Sequence, residues 1–244
     1  MPARSEHRED ICILTIDRPE RANSIDLETA LELSAALDQL AEDEGTRVVV
    51  LTGAGDRVFC AGMDLKAVAA GLAEEINNVP GGFAGIVRRD FPKPIIAAVE
   101  GAAIGGGFEI VLACDMVVAS EQAQFGLPEV GHGLIAASGG LIRLPKRIPP
   151  ALAVELLLTG EPIGSGRAQE LGLVNRVVPT GTALTGALEL AALIAARDPA
   201  AVRASVTLAR TVARGDEAAA WASCADLAAD LAAEVRTRTP GAPR

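Results

Sequence analysis

Glu109 and Glu129 are the two acids of this sequence whose neighbours suit them to chemistry. Glu109 follows the triplet Gly105-Gly106-Gly107, and on a helix opened by that triplet it lies one turn beyond Gly106 on the same face. Its neighbours Phe108, Ile110, Val111 and Leu112 make an apolar setting in which a carboxylate is costly. Glu129 ends Gly126-Leu127-Pro128-Glu129, where Pro128 has a fixed φ and holds Leu127 extended, so the acid projects from a stiff turn. Two such acids suit general acid-base work. Three successive glycines, each costing a helix about 1 kcal/mol, are more than close packing alone asks for. A helix N-terminus there would let the Gly106 N–H donate to an oxygen that becomes negative during reaction. A second donor is available if Val58 to Leu65 forms a turn, with the Ala61 N–H free and Asp64 capping the next helix. Each feature alone also fits ordinary structure: a first-turn acid, a Pro-Glu surface turn, a capped loop.

Other chemistries fit less well. Position 110 is Ile, which breaks G-x-G-x-x-G, and none of Lys66, Lys93 and Lys146 follows a glycine, so neither nucleotide loop is present. His132 and Ser138 invite a serine-hydrolase reading, but there is no G-x-S-x-G elbow and the other histidine, His7, is in the N-terminal arm. Cys12, Cys60, Cys114 and Cys224 are widely spaced, lack a C-x-x-C pair and have two histidines to help them, so no metal site is expected and all four read as buried free thiols. The basic run Leu141 to Arg147 reads as a solvated helix end.

The elements that must position these residues alternate. Ile11–Ile16, Val48–Thr52, Ile95–Val99, Met116–Ala119 and Val174–Val178 read as strands. Asp26 is placed to cap a helix with Leu27, Leu31, Leu33 and Leu37 on its inner face, and helices are expected from the glycine triplet to about Cys114, over Ala151–Leu158 and over Ala168–Leu171. After Pro179 come three Ala-rich helical segments, Ala183–Arg197, Pro199–Arg214 and Asp216–Arg236. This makes an α/β body over residues 1–180 and an all-helical region over 181–244. In the last helix Cys224, Leu227, Leu231 and Val235 form an apolar stripe beside Asp226, Asp230 and Glu234, like charges that disfavour an isolated helix.

With 22 basic against 32 acidic residues, 2% aromatics and no tyrosine, the chain lacks the basic stripe and stacking platforms of nucleic-acid binders. The longest apolar stretch, Ile95 to Ala119, is broken by Glu100, Glu109 and Asp115, and the charged start lacks a signal-peptide core, so no membrane association and a cytoplasmic location are expected.

Taken together, Arg18 to Ser24 (RPERANS), Val50 to Gly53, Phe59 to Lys66 (FCAGMDLK), Lys93 to Glu109, Gln124 to Glu129 (QFGLPE) and Leu156 to Gly160 resemble the enoyl-CoA hydratase (crotonase) superfamily, in its order, from about residue 11 to 215. The stretch from Gly82 to Pro150 is most similar to carnitinyl-CoA dehydratases. The resemblance implies a spiral of ββα units with two nearly perpendicular sheets, a C-terminal helical region making homotrimers or dimers of trimers, and an acyl-CoA thioester substrate without metal or separate cofactor. It places the oxyanion donors on the Ala61 and Gly106 N–H groups and the paired glutamates on Glu109 and Glu129. It places the substrate contacts on Arg21, Ala22, Ala61, Gly62, Met63, Asp64, Leu65, Gly105 and Gly106, with the acyl tunnel along Ala67 to Asp90. The final helix departs from the family's usual ending, which implies a retained trimeric core with weakened coenzyme affinity.

Overall fold

The computed structural model describes residues 1–213, 215 and 217–238. Strand β1 (Ala3–Arg8) pairs antiparallel with β2 (Ile11–Ile16), and helix α1 (Leu27–Glu42) follows, its N-terminus capped by Asp26, which accepts the Thr29 N–H at 2.9 Å. Three units of similar plan come next. The first is β3 (Val48–Gly53), β4 (Val58–Cys60) and the short helices α2 (Leu65–Ala69) and α3 (Ala73–Asn77); the second is β5 (Ile95–Val99), β6 (Ala102–Ile104) and α4 (Gly106–Ala113). The third is β7 (Met116–Ser120), β8 (Gln124–Gly126), the 3₁₀ turn Pro128–His132 and α5 (Gly140–Arg147). In each unit the first strand joins a six-stranded sheet, ordered β1-β2-β3-β5-β7 with Arg176–Val178 beside β7, and the second joins a four-stranded sheet, ordered β4-β6-β8 with Ile163–Gly164 beside β8. The chain continues through α6 (Pro150–Thr159), β9 (Ile163–Gly164), α7 (Ser165–Glu170) and β10 (Arg176–Val178), and closes with α8 (Ala183–Ala195), α9 (Pro199–Ala213) and α10 (Glu217–Arg238). This is the spiral of ββα units.

The central strands are buried on both faces, which is why they read as unbroken apolar runs. Val49, Leu51 and Ala97 point into the main core with Phe59, Phe108 and Phe125, while Val48, Val50, Ile96 and Ala98 point to a second core under α8. Small residues at every fourth position of α8, Ala187, Ala191 and Ala195, let it lie close on the sheet. Helix α8, although it follows residue 180, therefore packs directly on the six-stranded sheet.

The α9–α10 pair stands off this body. Helix α9 has no buried residue and α10 packs mainly on α9, with Cys224, Leu227 and Leu231 half-buried. Cys224 is thus not buried, unlike the other three thiols. Asp216 and the side chains of Glu234 and Val235 lie outside the described residues. The pair is tied down by Arg210, which donates to both Asp115 oxygens at 2.7 and 2.6 Å and to Lys93 O at 2.9 Å. Leu31, expected on the inner face of α1, is 48% exposed; Leu33, Leu37 and Leu40 carry that face. Among the described residues no helix is long and apolar enough to cross a membrane.

Candidate active site

Two loops build one wall of the site. In the first, Pro19–Arg21 forms a single 3₁₀ turn, after which Ala22 and Asn23 both take φ of 51°. That strained pair persists because the buried Asn23 side chain accepts the Arg18 N–H and donates to Ala54 O at 2.9 Å and Val58 O at 2.7 Å. Arg18 pairs with Asp26 at 2.7 Å and Asp64 at 3.2 Å, and donates to Ser24 O. In the second loop Asp64 caps α2 through the Lys66 N–H. Burial pushes the Asp64 carboxyl up, but the Lys66 N–H and Arg18 more than reverse this and hold it below the usual carboxylate range. Replacing Arg18 with Met takes the cation from both Asp26 and Asp64 and leaves Ser24 O without its donor, so urea unfolding should show a loss of about 2 to 3 kcal/mol. An unchanged midpoint would mean that Asn23 alone holds the loop.

The docking of these loops corrects one expectation. The Ala61 N–H is not free: it donates to Ala22 O at 3.0 Å. The free donor is two residues on. Ile25 donates to Gly62 O at 2.8 Å and accepts the Asp64 N–H at 2.9 Å, a parallel bridge that leaves the Met63 N–H facing the other way. Gly62, with φ of 87°, brings this turn against the start of α4, where a Cβ would come within 2.9 Å of Gly106 N. Gly106 is the first residue of α4, and the Met63 and Gly106 N–H groups have no acceptor among the described residues. Two unspent donors from touching backbones can serve one oxygen. Helix α4 can approach so closely because Gly107 sits on Cys60 O, which a Cβ there would overlap.

Both acids reach this place. Glu109, 3% exposed, accepts the Gly140 N–H at 2.8 Å, and the nearby Ser138 backbone also favours its charged form. Burial, with the charge of Glu129 added, pushes its carboxyl up to about 7, against the opposing pull of those N–H groups and Arg143. Glu129 comes from the 3₁₀ turn that Pro128 starts; its Oε1 stands 3.2 Å from where a Cβ on Gly105 would be, and its buried Oε2 has no hydrogen-bond partner. Burial raises its carboxyl too, with its own N–H and His132 opposing. The charge of Glu129 therefore acts on Glu109 in a setting where burial already disfavours both carboxylates.

Glu109 thus binds a proton to higher pH in the folded chain than in the unfolded one, so between the ordinary carboxyl range and about 7 its contribution to stability falls as pH rises. Glu109→Gln, which cannot ionise, should be more stable than the parent above a pH of about 7 by no more than ~3 kcal/mol, and should show no gain near pH ~4. Urea unfolding at the two pH values checks this; a gain confined to acid pH would contradict the direction.

Of the expected contact residues, Ala22, Ala61, Gly62, Met63, Asp64, Gly105 and Gly106 are brought together. Arg21 and Leu65 are exposed at the edge, Leu65 at 82%. His132 is exposed and Ser138 belongs to the loop under Glu109. The sequence reading missed Phe83, whose ring would contact a Cβ on Gly106 at 2.7 Å, and Gly140, whose only signal was the pair Gly139-Gly140 before an apolar run. A cavity of about 320 Å³ lies behind the 138–140 loop, lined by Val87, Leu112, Ser138, Gly139, Ile142 and Arg147 among others; neither glutamate is on its wall.

A family model described as enoyl-CoA hydratase/isomerase matches residues 6–236. The chain belongs to the enoyl-CoA hydratase/isomerase family. Within it, a carnitinyl-CoA dehydratase of Proteus mirabilis (strain HI4320) is 45% identical over 198 residues, covering 81% of this chain and 76% of that one. The crystal structure of an enoyl-CoA hydratase from Mycobacterium tuberculosis H37Rv superposes with a TM-score of 0.87 at 44% identity, covering 93% of this chain and 88% of the other. An enoyl-CoA hydratase from Mycobacterium marinum gives a TM-score of 0.90 at 41% identity, covering 97% and 92%. The fold is that of the family's solved members, C-terminal helices included.

Proposed function

We propose that this chain adds water reversibly across the double bond of a 2-enoyl-CoA thioester. The observation that carries this is the convergence of two unspent N–H groups, the buried Glu109 and the half-buried Glu129 at the N-terminus of α4. The thioester oxygen accepts from Met63 and Gly106 and is stabilised as charge moves onto it. Glu109, whose charged form is favoured by two backbone N–H groups, orients a water and removes a proton as the water oxygen bonds to Cβ. The π electrons move through Cα to the thioester oxygen, and the enolate collapses by taking a proton from Glu129 at Cα. Dehydration runs the same steps backwards. Every proton and charge is handled by this chain, so the reaction asks for no cofactor beyond the coenzyme A of the substrate.

The dehydratase names among the relatives support a second reading that differs in the acyl group and not in the chemistry. Retention of both glutamates argues against an acyl-CoA-binding protein without turnover. The stand-off α9–α10 pair, with no buried residue in α9, fits a homotrimer or a dimer of trimers in which other copies cover it. The acidic balance and the substrate class fit the cytoplasm. Loss of the ultraviolet absorbance of the conjugated thioester, followed for crotonyl-CoA, longer 2-enoyl-CoA esters and crotonobetainyl-CoA, tests the activity and selects the acyl group. Binding of all of them without loss of absorbance would overturn the proposal. Light scattering reads the assembly, and a monomer would overturn that part alone.

A further inference from the structure

The loop that holds Glu109 is poorly supported by packing. Leu134, Ile135 and Ala137 are exposed, and Ala137, Ser138 and Gly139 border the cavity behind, so packing toward α4 comes from Ala136 and from the start of α5 at Gly140, on either side of Ser138. At Ser138 itself a side-chain hydrogen bond ties the loop to another part of the chain: Ser138 Oγ donates to Asn77 Oδ1 at 3.0 Å. Asn77 is the last residue of α3, in the first unit, and its amide is oriented because Nδ2 donates to Ala73 O at 2.9 Å, which leaves Oδ1 to face Ser138. Helix α3 is itself anchored by the fully buried Ile76.

We infer that Asn77 is a positioning residue for the hydration reaction, acting through Ser138 to hold the 138–140 backbone N–H groups on Glu109. The bond costs the protein a polar pair at a half-buried place and touches no substrate, which is reasonable if its work is to keep two donors aimed at a carboxylate. Those donors favour the charged form of Glu109, so slackening them raises its carboxyl further and leaves less of the base ionised at neutral pH. The other charged groups that act on Glu109 stay in place: Glu129 from the 3₁₀ turn and Arg143 from α5.

The inference rests on the hydratase reading only in that hydration supplies the rate. Asn77→Ala and Ser138→Ala should each lower kcat about 3- to 10-fold at neutral pH with KM little changed, and move the ionisation limb of the kcat profile up by about half a pH unit or more. The double variant should be no worse than either single one, and Ser138→Thr, which keeps the hydroxyl, should restore the parent profile. Additive losses, or a lowered Tm with the limb unmoved, would overturn the inference by reducing the bond to a structural one. A parent protein that does not hydrate enoyl-CoA would instead overturn the function.

Discussion

Glutamine at position 109 or 129 is expected to lower kcat for hydration by about 10² to 10⁴, the range for losing a positioned acid or base, with acyl-CoA binding retained. Glutamine keeps the size and the acceptor oxygen, so in Glu109→Gln the Gly140 N–H still has its partner, and in Glu129→Gln the Pro128 turn still aims the side chain at Gly105. What is lost is the ability to take a water proton at 109 and to give one at 129. Because the pair acts as a unit, the double variant should be little worse than the weaker single one. Rapid-quench kinetics on the purified variants, with binding measured alongside, gives the numbers. Near-normal turnover in both single variants would dismiss the two-glutamate mechanism.

The oxyanion pair gives the next largest effect. Gly106→Pro deletes the donor itself, and proline is tolerated at the first position of a helix. Any side chain at 106 also meets the ring of Phe83, so the proper control is Gly106→Ala, which brings the same collision and keeps the N–H. The proline variant should be slower than the alanine variant by about 10² to 10³, the worth of one lost oxyanion donor. Replacing the residue-63 amide by an ester removes the other N–H and should cost a similar factor, whereas the same change at residue 61 removes only the bond to Ala22 O and should cost far less rate. Folding of each variant is checked by circular dichroism. Equal turnover of folded proline and alanine variants would move the hole away from Gly106, and a larger effect at 61 than at 63 would reverse the assignment between those two.

The comparison of 61 with 63 shows where reading the sequence stops. The turn was legible from Phe59 to Lys66, and Asp64 caps α2 as its position suggested. Which N–H stays free depends on what docks from elsewhere in the chain: Ala22 O arrives at Ala61 because Ala22 and Asn23 adopt left-handed geometry held by side-chain bonds to residues more than thirty positions away. No local pattern encodes that. The long buried strands were legible because burial on both faces leaves unbroken apolar runs such as Val48 to Leu51. The second sheet was not, since Val58–Cys60, Ala102–Ile104 and Gln124–Gly126 are three residues each, too short for a period to show. Strand β1 was hidden differently: one buried residue in six and five exposed ones read as a polar arm, although it is an edge strand.

The two glutamates were singled out from their neighbours, Glu109 from the glycine triplet and apolar run, Glu129 from Pro128. Their supports were not. Gly140 and Ser138 lie about thirty residues beyond Glu109, and Asn77 lies about thirty before it, so the shell that sets the acid's charge comes from two other units of the spiral. Likewise Ala187, Ala191 and Ala195 carried the four-residue spacing of a helix, but that α8 seals the sheet became visible only once Val48, Val50 and Ile96 were seen to face it.

The central claim is that water adds at Cβ while the chain supplies the base, the acid and the oxyanion donors. Its most direct test is mass spectrometry of the product formed from crotonyl-CoA in ¹⁸O-labelled water. The account requires a 3-hydroxyacyl-CoA with the label in the hydroxyl and none in the thioester carbonyl. An enoyl-CoA of unchanged mass with its double bond moved, or free coenzyme A beside a labelled carboxylic acid, would contradict it.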